Sequence, residues 1–153
     1  MYKKIYLKKG KEESLKRFHP WVFSGAIQHQ PEDVDEGEVV RVMTAGGDFI
    51  AVGHYQIGSI AVRVLSFDDV AIDDAFWYAK LQSAFLMRRS IGIVDNPANN
   101  TYRLVHGEGD NVPGLIIDVY GPTAVMQAHS VGIHLERKRI AEQLVKVMGD
   151  RVK

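Results

Sequence analysis

The hydrophobic pattern of the chain changes near residue 67, and this change restricts the fold more than any other feature of the sequence. Before it, short apolar runs alternate with turn residues. After it, long amphipathic runs appear between further short apolar runs. Closely spaced short strands are typical of small β-barrels, whereas strands mixed with helices are typical of α+β domains. The sequence therefore predicts a mixed β and α+β fold with two domains, residues 1–69 and residues 70–153.

The first domain contains four predicted strands joined by turns. They cover residues 4–7, 38–43, 49–52 and 60–65. Gly46 and Gly47 separate the second strand from the third, and glycine adopts the positive φ angles that tight hairpin turns need. One short helix fits residues 11–17 and would end before Pro20, because the residue before a proline disfavours the helical conformation. This arrangement predicts a small barrel or a half-open β-structure.

The second domain combines two predicted helices with three predicted strands. The first helix covers residues 75–91 and follows Asp73, a residue type that caps helix N-termini well. The strands cover residues 102–106, 115–120 and 123–128, and the second helix covers residues 133–148. Gly149 closes that helix. Because no closing strand follows, we expect this α+β domain to be incomplete at its C-terminal end.

The composition excludes several classes of protein. The 153 residues are 46% apolar and 25% charged, which is typical of a folded chain. The absence of cysteine excludes disulfide scaffolds, thiolate zinc sites and cysteine nucleophiles within these residues. No apolar run has the length of a transmembrane helix, and the N-terminal residues lack the apolar segment of a secretory signal. We therefore expect a cytoplasmic protein without a membrane partner.

Positive charge is concentrated in residues 1–19. Seven Lys and Arg residues stand there against two Glu residues, a local excess of +5 in a chain of net charge zero. Such an excess can bind a polyanion, or it can simply solubilise a terminal strand and turn. Trp21 and Phe23 follow directly, and rings beside cations hold single-stranded RNA by stacking. The same rings could instead fill the core of a small barrel.

A glycine-rich turn, His106 to Asp110 (HGEGD), carries a histidine and two carboxylates. One interpretation is an acid/base or metal site, which would make the chain a small hydrolase using His106, Glu108 and Asp110. The other is that Glu108 and Asp110 hold the turn by accepting hydrogen bonds from backbone amides. The sequence contains no zinc-ligand spacing, nucleotide-binding glycine motif or nucleophile elbow. We therefore expect no catalytic, cofactor-binding or metal residue in this chain.

Two long motifs resemble those of one family. The opening of the PUA-domain-containing class I SAM-dependent 23S rRNA (cytosine-C5) methyltransferases resembles residues 9–27 (KGKEESLKRFHPWVFSGAI). A second motif of the same family is similar to residues 102–121 (YRLVHGEGDNVPGLIIDVYG). Between them, a G-x-Y…S…R strand pattern matches Gly53, Tyr55, Ser59 and Arg63. Phe18 departs from the family at a position where a basic residue is common, and Val119 stands where arginine is often found.

The resemblance implies an N-terminal PUA-like β pseudo-barrel that binds structured RNA, followed by a truncated central α+β domain. In the family, that domain leads to a C-terminal Rossmann methyltransferase domain, which contains the SAM site and the catalytic cysteine. This Rossmann domain is absent from residues 1–153. The implied partner is ribosomal RNA, and SAM is implied only for the absent domain. Charge and resemblance together give seven candidate RNA-binding residues: Lys9, Lys11, Lys16, Arg17, His19, Tyr55 and Arg63.

The sequence is compatible with three functions. The first is the RNA-recognition and linking portion of an rRNA cytosine-C5 methyltransferase, not catalytic by itself. The second is a naturally short, stand-alone RNA-binding or assembly module without methyltransferase activity. The third is the small hydrolase. An incomplete central sheet would also expose an edge that can pair with a second copy, so a homodimer is a further expectation.

Overall fold

The computed structural model describes residues 1–153, and these residues group into two units. The first unit comprises residues 1–71 with residues 130–132, and the second comprises residues 72–129 with residues 133–153. Each unit contains one of the two tryptophans, Trp21 in the first and Trp77 in the second. None of the helices combines the length and the apolar character that a membrane crossing requires.

The first unit is built on one six-stranded sheet in the order β2-β6-β5-β4-β1-β3. Its strands are β1 (Lys3–Leu7), β2 (Trp21–Phe23), β3 (Ile27–His29), β4 (Val39–Met43), β5 (Phe49–Tyr55) and β6 (Ile60–Ser66). β1 and β4 are parallel, and the other pairs are antiparallel with register shifts that curl the sheet. The four predicted strands are confirmed. The sequence pattern missed β2 and β3 because three residues are too few to show alternation.

The core of the first unit lies inside this curl. Ile5, Val40, Val42 and Val62 have no exposed surface, and each lies in a strand that the sequence predicts. One helix, α1 (Glu13–Lys16), packs on this core through Leu15, which is 2% exposed. The helix is shorter than predicted. A helix of one turn has little stability of its own, so the burial of Leu15 is what holds it in place.

A buried histidine, His54, lies in β5 with 2% of its surface exposed. A Cβ atom added to Gly132 would overlap the imidazole ring, so only glycine permits this close approach. Burial lowers the pKa of His54 from 6.5 to about 4. The folded protein therefore holds this imidazole neutral, because water is not available to solvate its charged form.

The stability of the protein should fall as the pH falls below the ordinary histidine pKa. The unfolded chain takes up a proton on His54 below pH 6.5, whereas the folded chain resists protonation down to about pH 4. We expect this group to remove about 2 kcal/mol from the free energy of unfolding between about pH 7 and pH 5. Urea unfolding at each pH, followed by the NMR signal of the Trp21 indole, measures it. A His54→Gln variant should lose this dependence, and a wild-type free energy that stays constant over this interval would contradict it.

The second unit contains an antiparallel three-stranded sheet in the order β7-β8-β9. Its strands are β7 (Thr101–His106), β8 (Leu115–Tyr120) and β9 (Thr123–Ala128), and its helices are α2 (Asp74–Ser90) and α3 (Val131–Met148). These elements confirm the prediction to within two residues at their ends. Asp73 caps α2 as expected, since its carboxylate accepts a hydrogen bond from the Phe76 N–H at 2.9 Å.

The core of the second unit lies between one face of the sheet and the two helices. Leu104, Leu115 and Ile117 come from the strands, and none of them has exposed surface. Trp77 on α2 is also fully buried, and its indole N–H donates to Glu136 Oε2 on α3 at 3.1 Å. This bond satisfies the one polar atom of a large apolar side chain.

Candidate RNA interface

The turn after α1 directs a cluster of side chains into solvent. Phe18 has a φ of +63°, its N–H donates to Leu15 O at 2.9 Å, and the His19 N–H donates to Ser14 O at 3.0 Å. This is the Schellman ending of a helix, in which the left-handed residue is usually glycine. The side chain of Phe18 is 72% exposed and meets Phe67 edge-on at 5.2 Å. The chain thus keeps an exposed ring at a position that costs about 1 kcal/mol in backbone strain.

Four of the candidate cations surround this turn, and they differ in how free their charges are to contact a phosphate. Lys9, Lys11 and Arg17 are exposed and make no salt bridge. Lys16 instead lies 3.1 Å from Glu13 and 3.9 Å from Glu12, and its hydrogen bond to Glu13 raises its pKa. Three cations are therefore free to contact a phosphate, and the charge of Lys16 is partly compensated.

A groove of about 350 Å³ lies between α1 and β2. Lys11 and Ser14 line it on the side of the helix, Trp21 and Phe23 line it on the side of the strand, and Gly25 lies beyond them. Period-two alternation explains why Trp21 and Phe23 are the more exposed residues of the strand side, because Val22 between them is 2% exposed and belongs to the core. Phe23 is 49% exposed. The alternative that these rings fill the barrel core is therefore wrong for Phe23, and Trp21 is only half-buried.

Three rings meet at the end of this groove. The imidazole of His19 lies 5.9 Å from the Trp21 ring and 6.0 Å from the Phe23 ring, measured between centroids. His19 Nδ1 lies 3.2 Å from the Trp21 backbone nitrogen and 3.3 Å from the Trp21 carbonyl oxygen, so the backbone of Trp21 orients the imidazole. Cations, exposed rings and an oriented imidazole are groups that bind single-stranded nucleic acid.

The last two candidates, Tyr55 and Arg63, occupy different positions. Tyr55 is 8% exposed in the core, and its hydroxyl accepts a hydrogen bond from Gln30 Nε2 at 3.1 Å. A ring buried in the core cannot stack on a base, and any RNA contact of Tyr55 stays a prediction. Arg63 is half-buried and lies opposite Trp21 in the β2–β6 pair, on the same face of the sheet. It therefore belongs beside the aromatic groups.

The turn at residues 106–110 is held by an ion pair. Asp110 binds Arg88 through both oxygens, with Oδ2 at 2.7 Å from Nη2, and it accepts a hydrogen bond from the His106 N–H at 2.6 Å. The two side chains are only 14% and 10% exposed. No group of three or more His, Asp or Glu residues is placed to hold a metal ion. The geometry favours a structural role for Asp110 over the hydrolase interpretation.

Comparison with known proteins identifies the first unit. Residues 5–67 match the family model described as a PUA-like domain. This part of the chain is similar to PUA-like domains. The match includes β2 to β6, the last three residues of β1, α1 and the groove between α1 and β2, so the candidate interface lies within the matched residues.

The whole chain is homologous to part of a curated group of enzymes. It is 35% identical over 152 residues to ribosomal RNA large subunit methyltransferase I of Klebsiella pneumoniae, covering 98% of this chain and 38% of that protein. It is 37% identical over 143 residues to the protein of the same name from Escherichia coli, covering 92% of this chain and 36% of that protein. The chain thus spans 36% to 38% of the length of these relatives.

Solved structures share the fold. A protein from Streptococcus mutans, assigned as a SAM-dependent methyltransferase, aligns with a TM-score of 0.82 and 19% identity, covering 99% of this chain and 39% of that chain. A second structure, described as a methyltransferase complexed with SAH, aligns with the same TM-score of 0.82 and 19% identity. The alignment covers 99% of this chain and 38% of that chain. The PUA-like sheet and the α+β unit therefore occur together in larger proteins.

Proposed function

We propose that this chain is the RNA-recognition and linking portion of a SAM-dependent rRNA cytosine-C5 methyltransferase. Residues 1–69 would bind RNA, and residues 70–153 would link them to a domain that holds SAM and performs the chemistry. The observation that carries the proposal is the groove of the PUA-like domain, where the unpaired Lys11 lies with Trp21 and the exposed Phe23, together with the exposed cations Lys9 and Arg17 on the neighbouring turns. The names of the homologues support an rRNA substrate. An rRNA partner agrees with the expected cytoplasmic location, and the homodimer stays a prediction.

The groove would supply binding energy and orientation for chemistry that takes place elsewhere. Modification of a base requires that the base leave its stack, and this costs free energy. A module that holds the neighbouring backbone offsets the cost and positions the target. Lys9, Lys11 and Arg17 would contact phosphates, and the rings of Trp21 and Phe23 would stack on bases. No residue of the chain is assigned a catalytic role in this proposal.

The test is the RNA affinity of a triple variant in which Lys9, Lys11 and Arg17 are replaced by alanine. We expect weaker binding of single-stranded RNA and a flatter dependence of log affinity on log salt. The slope should change by about 0.7 for each phosphate that the variant no longer neutralises. Fluorescence anisotropy at several salt concentrations between about 50 and 200 mM measures both quantities.

A charge-matched control separates a local interface from a general effect of charge. Arg137, Lys138 and Lys146 lie exposed on α3, and their replacement by alanine changes the net charge equally. We expect this control to keep the wild-type slope. Equal slopes for the wild type and the groove variant would remove the proposed interface, as would an equal loss of affinity in both triple variants.

A further inference from the structure

A second cavity, of about 600 Å³, opens at the β7 edge of the sheet in the second unit. Arg103, Asp118 and Tyr120 line it, together with His106 and Arg88. The strand register explains this grouping. Arg103 lies directly opposite Asp118, and Tyr120 follows two residues later on the same face of β8. The phenol ring of Tyr120 is 51% exposed on that face.

The side chain of Arg103 is held in one orientation in this cavity. Its Nε lies 2.8 Å from Asp118 Oδ1 and its Nη2 lies 3.1 Å from Asp118 Oδ2, a two-bond arrangement that fixes the guanidinium plane. Its Nη1 lies 3.3 Å from His106 Nδ1. Because a guanidinium can only donate, this imidazole nitrogen is the acceptor, and His106 keeps its proton on Nε2. The cavity thus presents a fixed cationic plane, a fixed donor and an aromatic ring.

The charges of the cavity are internally matched. Arg103 is paired with Asp118, and the hydrogen bond from Arg103 lowers the pKa of that carboxylate. Arg88 is paired with Asp110. A site for phosphate would need uncompensated cations, and this one has none among its arginines. Its planar and aromatic groups instead suit the flat face of an uncharged heteroaromatic ring, with polar donors at its edge.

We propose that this cavity holds one unstacked base of a single-stranded RNA, which stacks on Tyr120 and meets Arg103 and His106 at its edge. The inference rests on the proposed function, because RNA is the ligand assigned to the PUA-like domain. It adds a second RNA site of a different kind. The groove acts through phosphate contacts and is sensitive to salt, whereas the cavity acts through stacking.

The experiment measures binding of a short fluorescein-labelled single-stranded RNA to the full chain by anisotropy at several salt concentrations. We expect Tyr120→Ala to lower the affinity about tenfold, the usual effect of losing one stacked base, and to leave the salt slope unchanged. Tyr120→Phe keeps the ring and should recover most of the affinity. Tyr78→Ala is the matched control, because Tyr78 lies on α2 of the same unit and does not line the cavity. The NMR signal of the Trp77 indole verifies that each variant is folded.

Each outcome has a distinct meaning. A loss of affinity in Tyr120→Ala alone, at constant slope, supports the base site. Affinity equal to that of the wild type overturns it while the groove proposal stands. Weaker binding of Tyr120→Ala with a flatter salt slope also overturns the base site, because the cavity would then act through charge and not through stacking. A wild-type chain that does not bind RNA removes both proposals.

Discussion

Gly53→Ala should destabilise the PUA-like domain by about 3 kcal/mol, the upper range for added volume in a packed interior. Gly53 lies in the middle of β5, and a Cβ atom at this position would collide with the backbone carbonyl of Arg63 on β6. A flexible side chain could rotate away from the new methyl group, but a carbonyl within a sheet cannot move without breaking the ladder. The added atom therefore separates β5 from β6 near the register shift between them.

Urea unfolding followed by the NMR signal of the Trp21 indole measures this effect. Gly46→Ala is the matched control, because its Cβ would meet nothing closer than Thr44 Oγ1 at 3.8 Å. We expect the control to change the free energy of unfolding by less than about 0.5 kcal/mol. Similar unfolding midpoints for the two variants would show that the strands accept the methyl group and would refute the steric argument.

The fold was largely predictable because its strands have strong local signals. β4 and β6 are β-branched runs, and Asp73 marks the start of α2 by its capping chemistry. α1 was predicted over seven residues and has four, because its limits depend on the burial of Leu15 and not on propensity. Gly53 lies inside β5, where glycine often marks a close approach of backbones, but the predicted strand ended at residue 52 because the apolar run stops there. The partner atom, however, depends on strand pairing.

The candidate site was predictable only as far as local charge determines it. The cations at residues 9, 11 and 17 were predicted from the local charge excess of residues 1–19 and from the family resemblance. Pairing of Lys16 was also readable, because Glu12 and Glu13 precede it at the spacing of helical ion pairs. The burial of Tyr55 was not readable. Residues 51–55 of β5 are all buried, so the strand shows no alternation that would tell its core face from its outer face.

Asp110→Asn should destabilise the second unit by about 3 kcal/mol, the lower range for breaking a buried ion pair. The substitution keeps the shape of the side chain and removes its charge, which leaves the Arg88 guanidinium without a counter-ion. Arg88 also donates from Nε to the Arg103 carbonyl at 3.3 Å, so it joins α2 to β7 as well as to the turn. Neither member of the pair can regain full hydration in the folded state, because both are largely buried.

A second pair in the same unit provides the control for this argument. Asp95 binds Arg151 through two bonds of 2.7 Å, but its side chain is 52% exposed. Asp95→Asn makes the same chemical change in water, where solvent replaces the missing partner, so its effect should be much smaller. Urea unfolding followed by the Trp77 indole signal compares the two variants. Equal effects would mean that burial adds nothing to the Arg88–Asp110 pair, and the turn at residues 106–110 would then need another source of order.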